Sequence, residues 1–157
     1  MNYSFTCKEL NKSFDTGEIS TAALSNINLT FSQEDFISII GPSGSGKSTL
    51  LSIIGTLDTP TSGGLYFNGL TISNLNARQL SDFRFENIGF IFQKFHLIPT
   101  LTVLENVLSP LFGRKVNYDK EDECGVLFVT NDPILAKRAN KVIEMKEGRV
   151  VKGNAYA

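Results

Sequence analysis

The sequence predicts an α/β domain with a mostly parallel sheet and an antiparallel β element at its N-terminus, and three observations lead there. An apolar strand runs through a glycine-rich loop into a helix over DFISIIGPSGSGKSTLLSIIG. The order strand, helix, strand recurs over GVLFVTNDPILAKRANKVIEM, and short alternating segments fill residues 2–31. Strands alternating with helices place helices on the faces of a parallel sheet, whereas period-two alternation marks half-buried antiparallel strands.

Taken in order, YSFTCKEL and INLTF alternate apolar with polar residues, and Asp15, Thr16 and Gly17 signal the turn between them. Residues 36–40 form the apolar strand that feeds the loop, and residues 47–56 carry helical spacing at Leu50, Leu51, Ile53 and Ile54. Pro60, Ser62, Gly63 and Gly64 make a turn into LYFNG, a short strand, followed by an amphipathic helix over 76–86. IGFIFQ, from Ile88, reads as a compact buried strand. A short helix over 102–108 opens on Thr102 with Glu105 three residues later, the spacing of a reciprocal cap. Residues 113–123, GRKVNYDKEDE, read as a charged linker. Pro133 then sits in the first turn of a helix running to Arg138, and Glu147 with Gly148 turns the chain into RVV.

Composition narrows the class. A chain of 157 residues with 41% hydrophobic and 20% charged residues suits one globular domain, spanning 1–157. Fifteen Lys plus Arg balance sixteen Asp plus Glu with no basic block, so no nucleic-acid partner is expected. Cys7 and Cys124 lack metal-ligand spacing and read as plain thiols. No stretch approaches the ~20 apolar residues of a membrane span, so no direct membrane insertion is expected.

The chemistry-bearing motif is G-x-x-x-x-G-K-[ST], met by Gly41, Gly46, Lys47 and Ser48 within GPSGSGKST. Glycines let backbone N–H groups of Ser43, Gly44, Ser45 and Gly46 close around phosphate oxygens, and the following helix adds the positive end of its dipole. Lys47 reaches the β and γ phosphates, and the Ser48 hydroxyl, followed by Thr49, ligates Mg²⁺. The expected ligands are therefore ATP and Mg²⁺. A dinucleotide-binding fingerprint fails because Thr49 stands where its third glycine would be. Guanine specificity fails too, since Ile143 stands where the Asp of an NKxD motif would follow Asn140 and Lys141.

Beyond that loop, four segments together resemble the ATP-binding subunits of ABC transporters, especially the macrolide-exporter and lipoprotein-release branch. They are ALSNINLTF, IIGPSGSGKSTLLSIIGTLDTPTSG, IGFIFQKFHLIPTLTVLENV and LFVTNDPILAKRANKVIEMKEGRV, which cover nearly all of residues 3–152. The resemblance implies a P-loop NTPase core and assigns roles by position. Phe14 matches the aromatic residue that stacks on adenine, though a core phenylalanine is the competing reading. Gln93 matches the glutamine that contacts Mg²⁺ and the attacking water, against a plain strand-end amide. The segment 94–106 matches the surface that meets a membrane-spanning permease subunit, and His96 within it reads as a loop residue. The implied location is cytoplasmic and peripheral, on the inner face of the plasma membrane.

The chain also departs from that pattern. A helical subdomain with an LSGGQ-type signature, and a strand ending in Asp-Glu, are both missing between the ENV helix and GVLFVT. An internal deletion with its junction near 113–125 accounts for this. Asn131 stands at the family's switch histidine, and Asp132 reads as a cap ahead of Pro133 rather than as a magnesium ligand. Two readings follow: a shortened, hydrolysis-deficient transporter subunit, or a non-catalytic nucleotide-binding module or remnant. A small P-loop phosphotransferase is a third, without a visible lid or acceptor acid. Loss of the acid-bearing strand further predicts either that residues 88–92 shift to pair with residues 126–130, or that a second chain dimerises through the exposed sheet edge.

Overall fold

The computed structural model describes residues 3–17, 19–91, 97–108 and 125–153. Among these residues two four-stranded sheets contribute to one core. The first is antiparallel, in the order β2 (Ser20–Ser32), β1 (Ser4–Asp15), β4 (Ser62–Phe67), β5 (Leu70–Thr71). The second orders β6 (Val126–Val129), β3 (Phe36–Ile40), β7 (Lys141–Lys146), β8 (Arg149–Lys152). Its first three strands are parallel, and β8 returns antiparallel to β7. The N-terminal antiparallel element and the largely parallel sheet are both as the sequence predicts.

The helix α1 (Lys47–Ile54) leaves β3 through the glycine-rich loop and touches β6 and β2. Its buried Leu50, Ile53 and Ile54 meet Ile37 and Ile39 of β3, Ile143 and Met145 of β7, and Leu10, Leu24 and Ile27 of the other sheet in one core. Burying each such side chain contributes roughly 1.5–3 kcal/mol. The second helix, α2 (Ala77–Asn87), starts with a reciprocal cap in which Asn76 accepts from the Gln79 N–H and the Gln79 side chain accepts from the Asn76 N–H. Its Phe83 ring meets Phe67 edge-on at 5.1 Å between centroids, and Phe67 lies 4.8 Å from Phe5. That ring cluster fixes α2 to the antiparallel sheet.

The predicted cap of α3 (Val103–Leu108) forms: the Thr102 N–H and hydroxyl donate to Glu105 at 2.8 and 2.7 Å, and the Glu105 N–H donates back at 3.3 Å. Those two donors hold the Glu105 carboxyl below its ordinary pKa. Asp132 caps α4 (Pro133–Ala136), its Oδ1 accepting from the Ile134 N–H at 2.8 Å and the Leu135 N–H at 3.4 Å. Cys7 is buried in the core, and burial pushes its thiol up to about 12, so it is a packing residue.

One expectation is corrected. Residues 88–91 are not a strand, and among the described residues β6 pairs with β3 alone. Apolar residues in this run are used differently: Ile88 packs on the core, Phe90 lies against Gly55 at the end of α1, and Ile91 is exposed. Strand propensity needs a neighbour to hydrogen-bond, and without one Ile88 and Phe90 anchor the run individually. The proposed partner strand, residues 126–130, does sit beside β3, in the register Phe36↔Val126 to Ile39↔Val129.

The turn from β2 to β3 is tied to the start of β7 by an ion pair between a buried carboxylate and a half-buried ammonium. Asp35 lies 2.6 Å from the Lys141 ammonium and accepts the Ser32 N–H at 2.8 Å. Burial raises the Asp35 pKa, but Lys141 and the Ser32 N–H more than offset it and hold the carboxyl below its ordinary value. A carboxyl with a depressed folded pKa contributes stability that is present above its unfolded pKa and is lost as the pH falls through the folded one. Asp35→Asn is therefore expected to cost about 1–2 kcal/mol near neutral pH, with the gap from the parent closing in acid. Denaturant unfolding at both pH values measures this, and a gap that persists unchanged in acid would contradict the ion-pair account.

Candidate functional site

The loop joining β3 to α1 is built on two glycines, Gly41 and Gly46, that leave no room for a side chain. Gly41 has φ +148° and a Cβ there would run into the Met145 carbonyl; Gly46 has φ +96° and a Cβ would lie 2.6 Å from the Ala23 carbonyl oxygen. Positive φ without a side chain lets the backbone curl tightly, which turns successive N–H groups toward a common centre. Gly46 is also the N-cap of α1, and no side chain caps that helix. The Leu50 N–H bonds back to Gly46, so the N–H groups of Lys47, Ser48 and Thr49 precede the first intrahelical bond. Partial positive charge accumulates there, the electrostatic requirement of a phosphate cradle.

Lys47 is buried, 8% exposed, and its ammonium curls back over the loop. It donates to the Gly41 carbonyl at 2.8 Å, the Pro42 carbonyl at 2.7 Å and the Ser45 hydroxyl at 3.3 Å. Three donors thus meet three acceptors, and an anion entering the loop has a desolvated cation already in place. The open space beside it measures about 360 Å³, and its lining includes Ser43 through Gly46 of the loop, Lys47 to Thr49 at the start of α1, Ala23 of β2, Val129 at the end of β6, and Thr130 and Asn131 just after it. That is the scale of a small-molecule site.

All seven residues from Ser43 to Thr49 that the sequence singled out therefore line one cavity, and Asn131 joins them from a distant part of the chain. Gly41 stands behind them as backbone. Ser48 is exposed at the cavity, so its hydroxyl is free to supply one hard oxygen to Mg²⁺, which ordinarily keeps several waters and phosphate oxygens. Gln93 and His96 lie outside the described residues, as does most of the junction region near 113–125. Phe14 does not line the cavity; it is 46% exposed on β1, paired with Thr21 of β2. The Lys12 ammonium sits 5.0 Å from the centre of its ring.

Sequence reasoning missed the two segments that brace the loop from outside. β1 pairs Lys12 with Leu24 and Ser13 with Ala22, so Ala23 is an extra, bulged residue, and it forms a wall of the cavity. The Gly148 N–H donates to the Ser45 carbonyl at 3.1 Å, and the Ser25 N–H donates to the Gly148 carbonyl at 2.8 Å. The turn signal at Glu147 and Gly148 was legible, but its distant partner was not.

Residues 24–153 match the family model described as ABC transporter. The chain is 49% identical over 104 residues to the uncharacterized ABC transporter ATP-binding protein MJ0796 of Methanocaldococcus jannaschii, covering 66% of this chain and 44% of that protein. It is 45% identical over 114 residues to the lipoprotein-releasing system ATP-binding protein LolD of Desulfotalea psychrophila, covering 72% and 51%. With the macrolide export ATP-binding/permease protein MacB of Mannheimia succiniciproducens it shares 50% over 103 residues, covering 66% and 16%. The chain spans about half the length of most curated relatives it matches. A solved dimeric post-hydrolysis structure of the cassette MJ0796 bound to ADP and Pi superposes with a TM-score of 0.86 at 27% identity, covering 98% of this chain and 99% of that one.

Proposed function

This chain belongs to the ABC transporter family, and from that premise we propose that it is the ATP-binding subunit of an export or lipoprotein/peptide extraction transporter, shortened and deficient in hydrolysis on its own. The observation that carries the reading is the phosphate cradle, in which a buried Lys47 ammonium and an uncapped helix start face one cavity. Relatives named for lipoprotein release and macrolide export support the branch.

In this proposal the backbone from Ser43 to Thr49 holds the phosphates, Lys47 exchanges its loop carbonyls for the β and γ phosphate oxygens, and Ser48 and Gln93 hold Mg²⁺. The metal would supply charge neutralisation at the phosphates. Asn131 lies at the cavity with an amide able to hydrogen-bond near a γ-phosphate but unable to carry a proton. Phe14 offers an exposed ring face to adenine.

The permease subunit docks on the segment 94–106 in this reading. Leu97, Ile98, Val103 and Leu104 are all exposed there, a run of apolar side chains of the kind that marks an interaction surface. Among the described residues no helix is long and apolar enough to cross a membrane, so a peripheral position on the inner face of the plasma membrane would come through that partner. Among the described residues β6 pairs on one side alone, which supports a second contact, between copies of the chain through the sheet edge. The single domain 1–157 with an internal junction near 113–125 is part of the same proposal. Titration calorimetry with Mg-ATP tests the core of it; absence of saturable binding would overturn it.

A further inference from the structure

We propose that Lys12 is a positioning residue for base recognition, holding the Phe14 ring from behind so that its other face is set for the adenine; this rests on the reading of Phe14 as the adenine platform. A phenylalanine has no polar handle to fix its own ring, and Phe14 stands exposed near the end of β1. What meets its ring is the Lys12 ammonium, 5.0 Å from the ring centre. That ammonium is itself held: it lies 2.7 Å from Asp58 Oδ1 and donates to the Thr59 carbonyl at 2.8 Å. Asp58 is steadied in turn by the Thr59 N–H at 2.7 Å.

The Lys12 side chain is only 12% exposed, so solvent screens its charge little, while Asp58 offsets part of that charge and fixes where the ammonium sits against the ring. Two effects follow. The ring is fixed in orientation before the base arrives, which lowers the ordering cost of binding. The cation also draws π density toward its own side, leaving the far face less electron-rich and a better partner for a purine. Geometry places this platform beside the phosphate cradle: Phe14 pairs with Thr21, and two residues further along β2 the bulged Ala23 lines the cavity. A plain structural reading has Lys12 only clamping β1 to the loop after α1, and that reading predicts no dependence on the base.

The test compares two ligands, Mg-ATP and inorganic tripolyphosphate, on the parent chain and on Lys12→Met, Lys12→Arg, Phe14→Ala and the Lys12→Met/Phe14→Ala double variant. Lys12→Met keeps the aliphatic stem and removes the charge. Its ATP affinity is expected to fall roughly 2- to 30-fold while tripolyphosphate affinity holds, which also shows that the variant is folded. Lys12→Arg should restore most of the ATP affinity, and the double variant should bind ATP no more weakly than Phe14→Ala alone. Equal losses for both ligands, or a full Lys12→Met loss persisting without the Phe14 ring, would overturn the proposal. If Phe14→Ala weakens ATP but Lys12→Met does not, the Lys12 role alone falls; if Phe14→Ala leaves ATP affinity unchanged, the platform reading fails first and takes this inference with it.

Discussion

Purified and mixed with Mg-ATP, the chain is expected to bind nucleotide without measurable steady-state release of phosphate. Phosphoryl transfer asks the protein for position and charge, and above all for a group that orients and polarises the attacking water. The strand ending in Asp-Glu, which the family resemblance leads one to expect, is absent from the sequence. The carboxylate available after β6, Asp132, has its Oδ1 engaged by two N–H groups of α4. Asn131, at the cavity, cannot accept and release a proton. Removing a positioned base costs about 10²–10⁴ in rate, and removing transition-state donors a further 10²–10³, without simple multiplication. A coupled-enzyme assay reads this directly. Turnover at or above about 1 per second would mean that Asp132 leaves its cap or that another group takes over.

Lys47→Ala should weaken Mg-ATP binding roughly 10- to 150-fold. The ammonium is buried and spends all three donors on Gly41, Pro42 and Ser45, so its exchange for phosphate oxygens trades neutral acceptors for charged ones. Charge-assisted bonds of that kind are worth about 1.5–3 kcal/mol, which sets the range. The same substitution removes a cation whose side chain is largely desolvated, where charge counts for more than in bulk water. Calorimetry on parent and variant measures it, with circular dichroism confirming the fold. Unchanged affinity in a folded variant would remove Lys47 from the site and with it the cradle reading.

What could be read from the sequence was what depends on neighbours in the chain. The cradle was legible because Gly41, Gly46, Lys47 and Ser48 act within eight residues, between a strand and a helix that announce themselves by period. The Thr102–Glu105 cap and the Asp132 cap were legible for the same reason, and both form. The Asn76–Gln79 cap had the same short spacing and could have been found. Residues 88–91 show the limit: their composition suits a strand, but whether a strand exists depends on a ladder partner elsewhere. The bulge at Ala23 has no signal in its own residues, because it is a mismatch between the lengths of two strands. Lys12 is legible as a charge, but only packing brings it to Phe14 and Asp58.

The brace around the cradle bears on how the molecule comes to be active during folding. Ser25, Ser45 and Gly148 are joined by backbone bonds, so two segments from the first third of the chain are held by one about a hundred residues later. Contacts of such sequence separation form slowly, because loop closure must be completed before they contribute. The β1–β2 hairpin and α1 can gain structure locally, yet the wall at Ala23 and the brace at Gly148 need both sheets together. Nucleotide affinity should consequently return only with the slowest refolding phase, after the secondary-structure signal has recovered, as stopped-flow mixing with a fluorescent ATP analogue would record. Early return of affinity would show the loop able to shape itself unaided. On this account it is the arrival of the β7–β8 hairpin, with Gly148 at its turn, that makes the loop a receptor.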